Sequence, residues 1–164
     1  MQRVTKVAAM PLALLAAGCA STAQVPDSLK PGASESLALV VPAKGDQIYE
    51  CRASKWVFVA PEAELFDRAG KKIGRHYAGP HWESADGSKV AATVTARADA
   101  PAAGAIPWLL LSAKSVGTEG AFSKVTSIQR VATVGGAAPA GECSQAGAQA
   151  RVDYTADYYF FTAK

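Results

Sequence analysis

The sequence predicts an all-β fold, an antiparallel β-sandwich or barrel forming one domain behind an N-terminal signal segment. Three observations carry this. Short β-branched and aromatic runs recur along most of the 164 residues. Gly, Pro and Asp-Gly pairs punctuate them at the spacing of hairpin turns. After the first residues, no amphipathic helical pattern exceeds two turns. The choice between sandwich and barrel stays open at this level.

The first 18 residues read as a leader. Arg3 and Lys6 form a basic start, and Val7 to Ala17 is an apolar run of about 11 residues, long enough for a signal core and too short to span a bilayer. Leu14-Leu-Ala-Ala-Gly-Cys19 resembles a bacterial lipobox, with Ala16 where leucine is usual. It makes Cys19 the expected lipidation site and the membrane the expected partner through that anchor. Ordinary cleavage after Ser21-Thr-Ala23 is the alternative and gives a secreted chain. Either way the domain is expected outside the cytoplasm, in the cell envelope or periplasm or beyond. Residues 19–36, rich in Ser, Ala, Gly and Pro, read as a flexible tether, and residues 37–164 as the domain.

Within the domain, Leu37 to Val41 is apolar and ends at Pro42. Gln47 to Cys51 alternates, placing Gln47, Tyr49 and Cys51 on one face. Trp56 to Val59 is a third run. Ala63 to Phe66 turns at Asp67-Arg-Ala-Gly70 and returns through Lys72 to Tyr77. Pro80 to Ser84 and Lys89 to Arg97 flank Ala85-Asp-Gly87. In the second of these, Val90, Ala92, Val94 and Ala96 form a small apolar face and Arg97 lies on the other. Pro107 confines Ile106 to Leu111 to a strand start or an edge. Lys124 to Val134 fits strand or helix, and its β-branched content favours strand. A long loop from Gly135 to Gly147 carries Cys143. In the last strand, Arg151 to Phe161, Tyr154, Ala156, Tyr158 and Phe160 share a face.

With Cys19 acylated or discarded, Cys51 and Cys143 remain. In an oxidising compartment they most simply pair; two buried free thiols are the alternative. A bridge closing 92 residues would restrict the unfolded chain by about 4–5 kcal/mol in the loop-closure model. Removing Arg3 and Lys6 lowers the formal charge from +3 to +1. With no long run of either sign, there is no electrostatic footprint for nucleic acid.

Potential chemistry converges on Gly74 to Ser88, which holds both histidines and one of the three tryptophans. His76, Tyr77, Trp82 and Glu83 are the candidate ligand-binding residues. His76, His81 and Glu83 are a weak metal set, with imidazole and carboxylate suiting zinc at a spacing that matches no established zinc motif. No serine sits in Gly-x-Ser-x-Gly, and Gly135-Gly136 lacks the lysine of a phosphate loop, so no residue is assigned as catalytic and no cofactor is expected. Tyr77, Trp82, Trp108, Tyr154, Tyr158 and Tyr159 could line a ligand site or build the core. Lys114, Gln129, Arg130 and Asp157 suggest an internal polar network with an Arg130–Asp157 pair.

A set of motifs in order adds to this reading. Gln47-Ile-Tyr-x-Cys51, Trp56-x-Phe58, Pro61-Glu-Ala-x-Leu65, Gly74-x-His-Tyr-x-Gly-Pro80, Asp86-Gly-Ser88, Ile106-Pro-Trp-Leu-Leu-Leu111, Ile128-Gln-Arg130 and Tyr154-Thr-Ala-Asp-Tyr-Tyr-Phe160 together resemble the DUF3455 family. The resemblance implies a single extracytoplasmic domain and supports the pairing of Cys51 with Cys143. It implies no activity. His81 departs from the small hydroxyl residue more usual in that family. The expected function is a non-enzymatic binding or structural module, with a metal-dependent hydrolase centred on His76 as the alternative.

Overall fold

The computed structural model describes residues 24–164. Eight antiparallel strands form a closed barrel in simple up-and-down order: β1 (Glu35–Arg52), β2 (Lys55–Phe66), β3 (Lys72–Tyr77), β4 (His81–Ser84), β5 (Lys89–Ala98), β6 (Trp108–Ser115), β7 (Val125–Gly135) and β8 (Gln149–Ala163). Closure comes from β1 and β8, paired from Glu35↔Ala163 to Glu50↔Gln149. A closed barrel leaves no strand edge unpaired, and this decides barrel over sandwich. The segment Lys124 to Val134 is strand, as its β-branched residues favoured.

Two pairs of expected strands are each one strand, and their internal prolines explain how. Pro42 faces Asp157 of β8 at a point where β2 has not yet joined, since that pairing begins at Ala43. Pro61 faces Gln47 of β1, while β3 joins only at Ala63. Each proline therefore lies where its strand has one neighbour, and a missing N–H is tolerated there. The turn between β1 and β2 is Ala53-Ser54, with φ of 50° and 60°. Such a two-residue turn normally recruits Asn-Gly, which is why the sequence did not announce it.

The lower end of the barrel carries the turns 67–71 and 85–88 and the loop 116–124. The upper end carries the turns 53–54 and 78–80 and the loops 99–107 and 136–148. The faces predicted for β1 and β8 hold: Gln47, Tyr49 and Cys51, and Tyr154, Ala156, Tyr158 and Phe160, are all buried. The interior core includes Val41, Leu65, Trp82, Val90, Leu111, Ile128, Tyr158 and Phe160. Phe122, from the lower loop, plugs that end, its ring edge-on to Phe160 at 4.8 Å.

β5 departs from its sequence pattern. Val94 pairs with Leu111 but Ala96 pairs with Leu110, so Thr95 is an extra residue in a bulge. Beyond it the faces exchange. Ala96 and Ala98 turn outward into a cluster with Leu29, Trp108 and Val131, and Arg97 turns inward opposite Leu109.

Part of the 19–36 segment read as a tether packs on that outer cluster. In its described part, a 3₁₀ turn at Asp27–Leu29 packs on the wall, Leu29 is fully buried and its carbonyl accepts from Gln129 Nε2 at 2.6 Å. Residues 24–34 form an arm that packs on the barrel through Val25 and Leu29. Cys19 and the leader lie outside the described residues.

Candidate functional site

Cys51 and Cys143 are bridged, with Cα atoms 5.8 Å apart. The bridge ties the 136–148 loop to the upper end of β1. The Cys143 N–H donates to Ser54 O at 3.1 Å and the Gly147 N–H to Cys51 O at 2.9 Å. Tyr49 Oη donates to Gly136 O at 2.6 Å from inside. This loop is therefore held as a wall of the upper opening rather than folded across it.

Beneath it lies a cavity of about 830 Å³. Trp82, His76 and Tyr158 form its floor; the loops at 79–80, 105–107 and 137–138 form its mouth. Phe58, Val59 and Val94 line it and are 49%, 42% and 49% exposed, an apolar rim open to solvent.

The floor is an aromatic stack. His76 of β3 pairs with Trp82 of β4 across the hairpin closed by Ala78-Gly-Pro80, where Gly79 takes a φ of +102° that only glycine adopts freely. The His76 and Trp82 rings stack at 4.0 Å, and Tyr158 stands edge-on to both at 5.3 Å. Burial pushes the His76 imidazole down to about 3, so it is neutral at pH 7. Its Nδ1 lies 2.8 Å from the His81 carbonyl. A carbonyl only accepts, so Nδ1 carries the proton and Nε2 is left as an acceptor. Tyr154 Oη is 3.3 Å from Tyr158 Oη, and burial raises both hydroxyls well above the usual phenol range.

Of the four candidate ligand-binding residues, His76 and Trp82 reach this cavity. Tyr77 and Glu83 face outward. Tyr77 Oη donates to Glu83 Oε2 at 2.5 Å and Arg75 Nη2 to Glu83 Oε1 at 3.0 Å. The Tyr77 hydroxyl and then Arg75 hold the Glu83 carboxyl below the usual range. This is a cross-strand network on the outer wall.

The metal set is corrected by the same alternation. His76 points inward, while His81 and Glu83, two residues apart on β4, point outward. The His81 ring stacks on Tyr77, and its Nδ1 donates to Ala78 O at 2.8 Å. Among the described residues no group of three or more His, Cys, Asp or Glu could hold a metal.

The expected Arg130–Asp157 pair does not form either. Arg130 is opposite Tyr158 and faces the cavity; Asp157 is one residue on and faces out. Arg130 donates through Nε and Nη2 to Pro107 O at 3.1 and 2.8 Å. Trp108 and Tyr159 belong to the outer cluster under the arm. Lining residues that sequence reasoning missed include Trp56, Phe58 and Arg97. Trp56 and Phe58 were visible as a strand-like run next to a cysteine strand, whereas nothing in the sequence marks the bulge that brings Arg97 in.

A family profile described as a protein of unknown function, DUF3455, matches residues 31–162. No curated protein and no solved structure matches the chain. The match runs from Pro31, ahead of β1, to Thr162, near the end of β8, and the chain belongs to the DUF3455 family.

Proposed function

We propose that this protein is an extracytoplasmic binding module that takes a small apolar molecule into the upper end of its barrel. The observation that carries the reading is the cavity of about 830 Å³, inside the range of small-molecule sites, roughly 300–1,000 Å³. An eight-stranded barrel is just wide enough for its side chains to fill or for one small ligand. Here one end is filled and the other is not. The lining is mainly apolar and aromatic, the composition of a binding cleft. The Cys51–Cys143 bridge supports an oxidising compartment. Acylation of Cys19, expected from the lipobox-like sequence, would tether the module to a membrane.

The test uses the neutral fluorescent probe N-phenyl-1-naphthylamine. Its emission should rise saturably with the native domain. The rise should be lost when Val94→Trp and Ala138→Trp together fill the mouth, both positions being exposed and lining the cavity. Equal enhancement by the filled variant would place the probe elsewhere and reject the cup.

A further inference from the structure

We propose that the ligand taken by this cup carries an anionic head, a carboxylate on an apolar body, received between Arg97 and Arg130. The inference rests on the binding reading above and deepens it.

The two arginines are placed by register. Arg97 of β5 is opposite Leu109 of β6, and Leu109 is opposite Arg130 of β7. All three lie in one cross-strand row and all line the cavity. With strands roughly 4.8 Å apart, the two backbones are about 10 Å apart across Leu109. Long guanidinium side chains from that row can converge on one small anion. Arg97 faces inward only because of the Thr95 bulge, and bulges commonly re-aim a side chain next to a site.

The charge is unbalanced. No Asp or Glu lines the cavity, and neither arginine forms an ion pair among the described residues. Arg130 is half-buried among apolar groups, where a cation is costly without a counter-charge. The Pro107 carbonyl takes Arg130 Nε–H and one Nη2–H, and a guanidinium has five N–H donors. It fixes the guanidinium plane and leaves Nη1 for a partner. Planar two-point donation suits a carboxylate.

A second, independent observation also asks for an acceptor. Among the described residues, Gln47 Nε2 and Trp82 Nε1 are buried donors with no hydrogen-bond partner, on residues that line the cavity. Gln47 and Trp82 are 2% and 1% exposed. Buried donors are nearly always satisfied. An oxygen-bearing ligand would satisfy these. Trp108 Nε1, the third such donor, lies outside the barrel under the arm.

The experiment compares three twelve-carbon ligands that differ only in the head: dodecanoate, 1-dodecanol and dodecylamine. Binding is read by the fluorescence of Trp56 and Trp82, which line the cavity. Dodecanoate should bind at least about tenfold tighter than dodecanol, the scale of one charge-assisted contact, and dodecylamine weakest. In Arg97→Gln/Arg130→Gln the preference for dodecanoate over dodecanol should vanish while dodecanol binding stays. Arg97→Gln alone, at an exposed side chain, should narrow the gap even if the Arg130 change disturbs the Pro107 loop. Equal binding of dodecanoate and dodecanol, tighter dodecylamine, or an unchanged preference in Arg97→Gln would overturn the anionic head while leaving the cup. If none of the three binds, the cup itself fails.

Discussion

At the lower end of the barrel, Phe122 fills the lumen and the Asp86 and Ser88 side chains beside it are engaged. Ser88 Oγ donates to Asp86 Oδ1 at 2.6 Å and accepts the Phe122 N–H at 3.0 Å, while Asp86 Oδ2 accepts the Ala121 N–H at 2.8 Å. Those bonds, the Ser88 hydroxyl first, hold the Asp86 carboxyl far below its usual range. At the upper end the same strands enclose open space, two donors on residues that line it lack partners and two arginines there lack a carboxylate. The chain evidently has the means to close a barrel end. Where it does not do so, the departure supports the binding reading proposed above. The closed end is held by contacts, the open end by a covalent tie.

The largest effect should come from that tie. Cys51→Ser/Cys143→Ser removes a bridge with 92 residues between its ends, worth about 4–5 kcal/mol in the loop-closure model. Chemical denaturation of oxidised and mutant protein should show the loss. An unchanged midpoint would mean that the open end needs no covalent support.

Next is the plug. Phe122 is fully buried, and Phe122→Ala should cost about 3–5 kcal/mol without altering probe affinity in the protein that remains folded. Trp82→Ala should cost as much and also weaken binding, because Trp82 is both core and cavity floor. Loss of binding in Phe122→Ala would show that the two ends are not independent.

Much of this was legible in the chain. Alternation set the inner faces of β1 and β8, because a face buried along its whole length must repeat every second residue. The pairing of Cys51 with Cys143 was the simpler of two readings for two cysteines outside the cytoplasm, and the bridge is formed. Three things were not legible, each for a physical reason. Barrel closure depends on β1 meeting β8, a contact between the two ends of the chain that no local pattern encodes. The bulge at Thr95 leaves composition unchanged yet moves Arg97 from outside to inside. His76 and Glu83 are near in sequence and were grouped, but the pleat puts them on opposite sides of the wall. Of the four candidate ligand-binding residues, His76 and Trp82 lie in the cup and Tyr77 and Glu83 outside it.

A smaller effect follows from His76, and its sign is fixed. Burial lowers its pKa in the folded state to about 3 from an ordinary value near 6.5. Below about pH 6.5 the unfolded chain therefore binds a proton that the folded one refuses. Stability from this group is fully present above that pH and is lost progressively as pH falls toward 3. His76→Gln should flatten the decline between pH 6 and pH 4. An equally steep decline in the variant would assign the acid sensitivity to other groups.

The smallest effect is expected from the outer half of the same stretch, and it bears most directly on where the site is. Glu83 accepts from Tyr77 and Arg75 and lies 3.8 Å from Lys89 Nζ, all on a solvated wall. Water and salt screen such contacts, and holding long side chains in one geometry offsets much of the attraction. Glu83→Gln should therefore shift the thermal midpoint less than any change above, with the shift fading as salt is added. It should leave binding of the naphthylamine probe and of dodecanoate untouched, because the pleat separates Glu83 from the lumen. His76 and Trp82, the inward members of the stretch, should behave in the opposite way. If Glu83→Gln abolished binding in a fully folded protein, the functional surface would be the outer wall of β3 and β4. The open upper end would then be only an unfilled barrel.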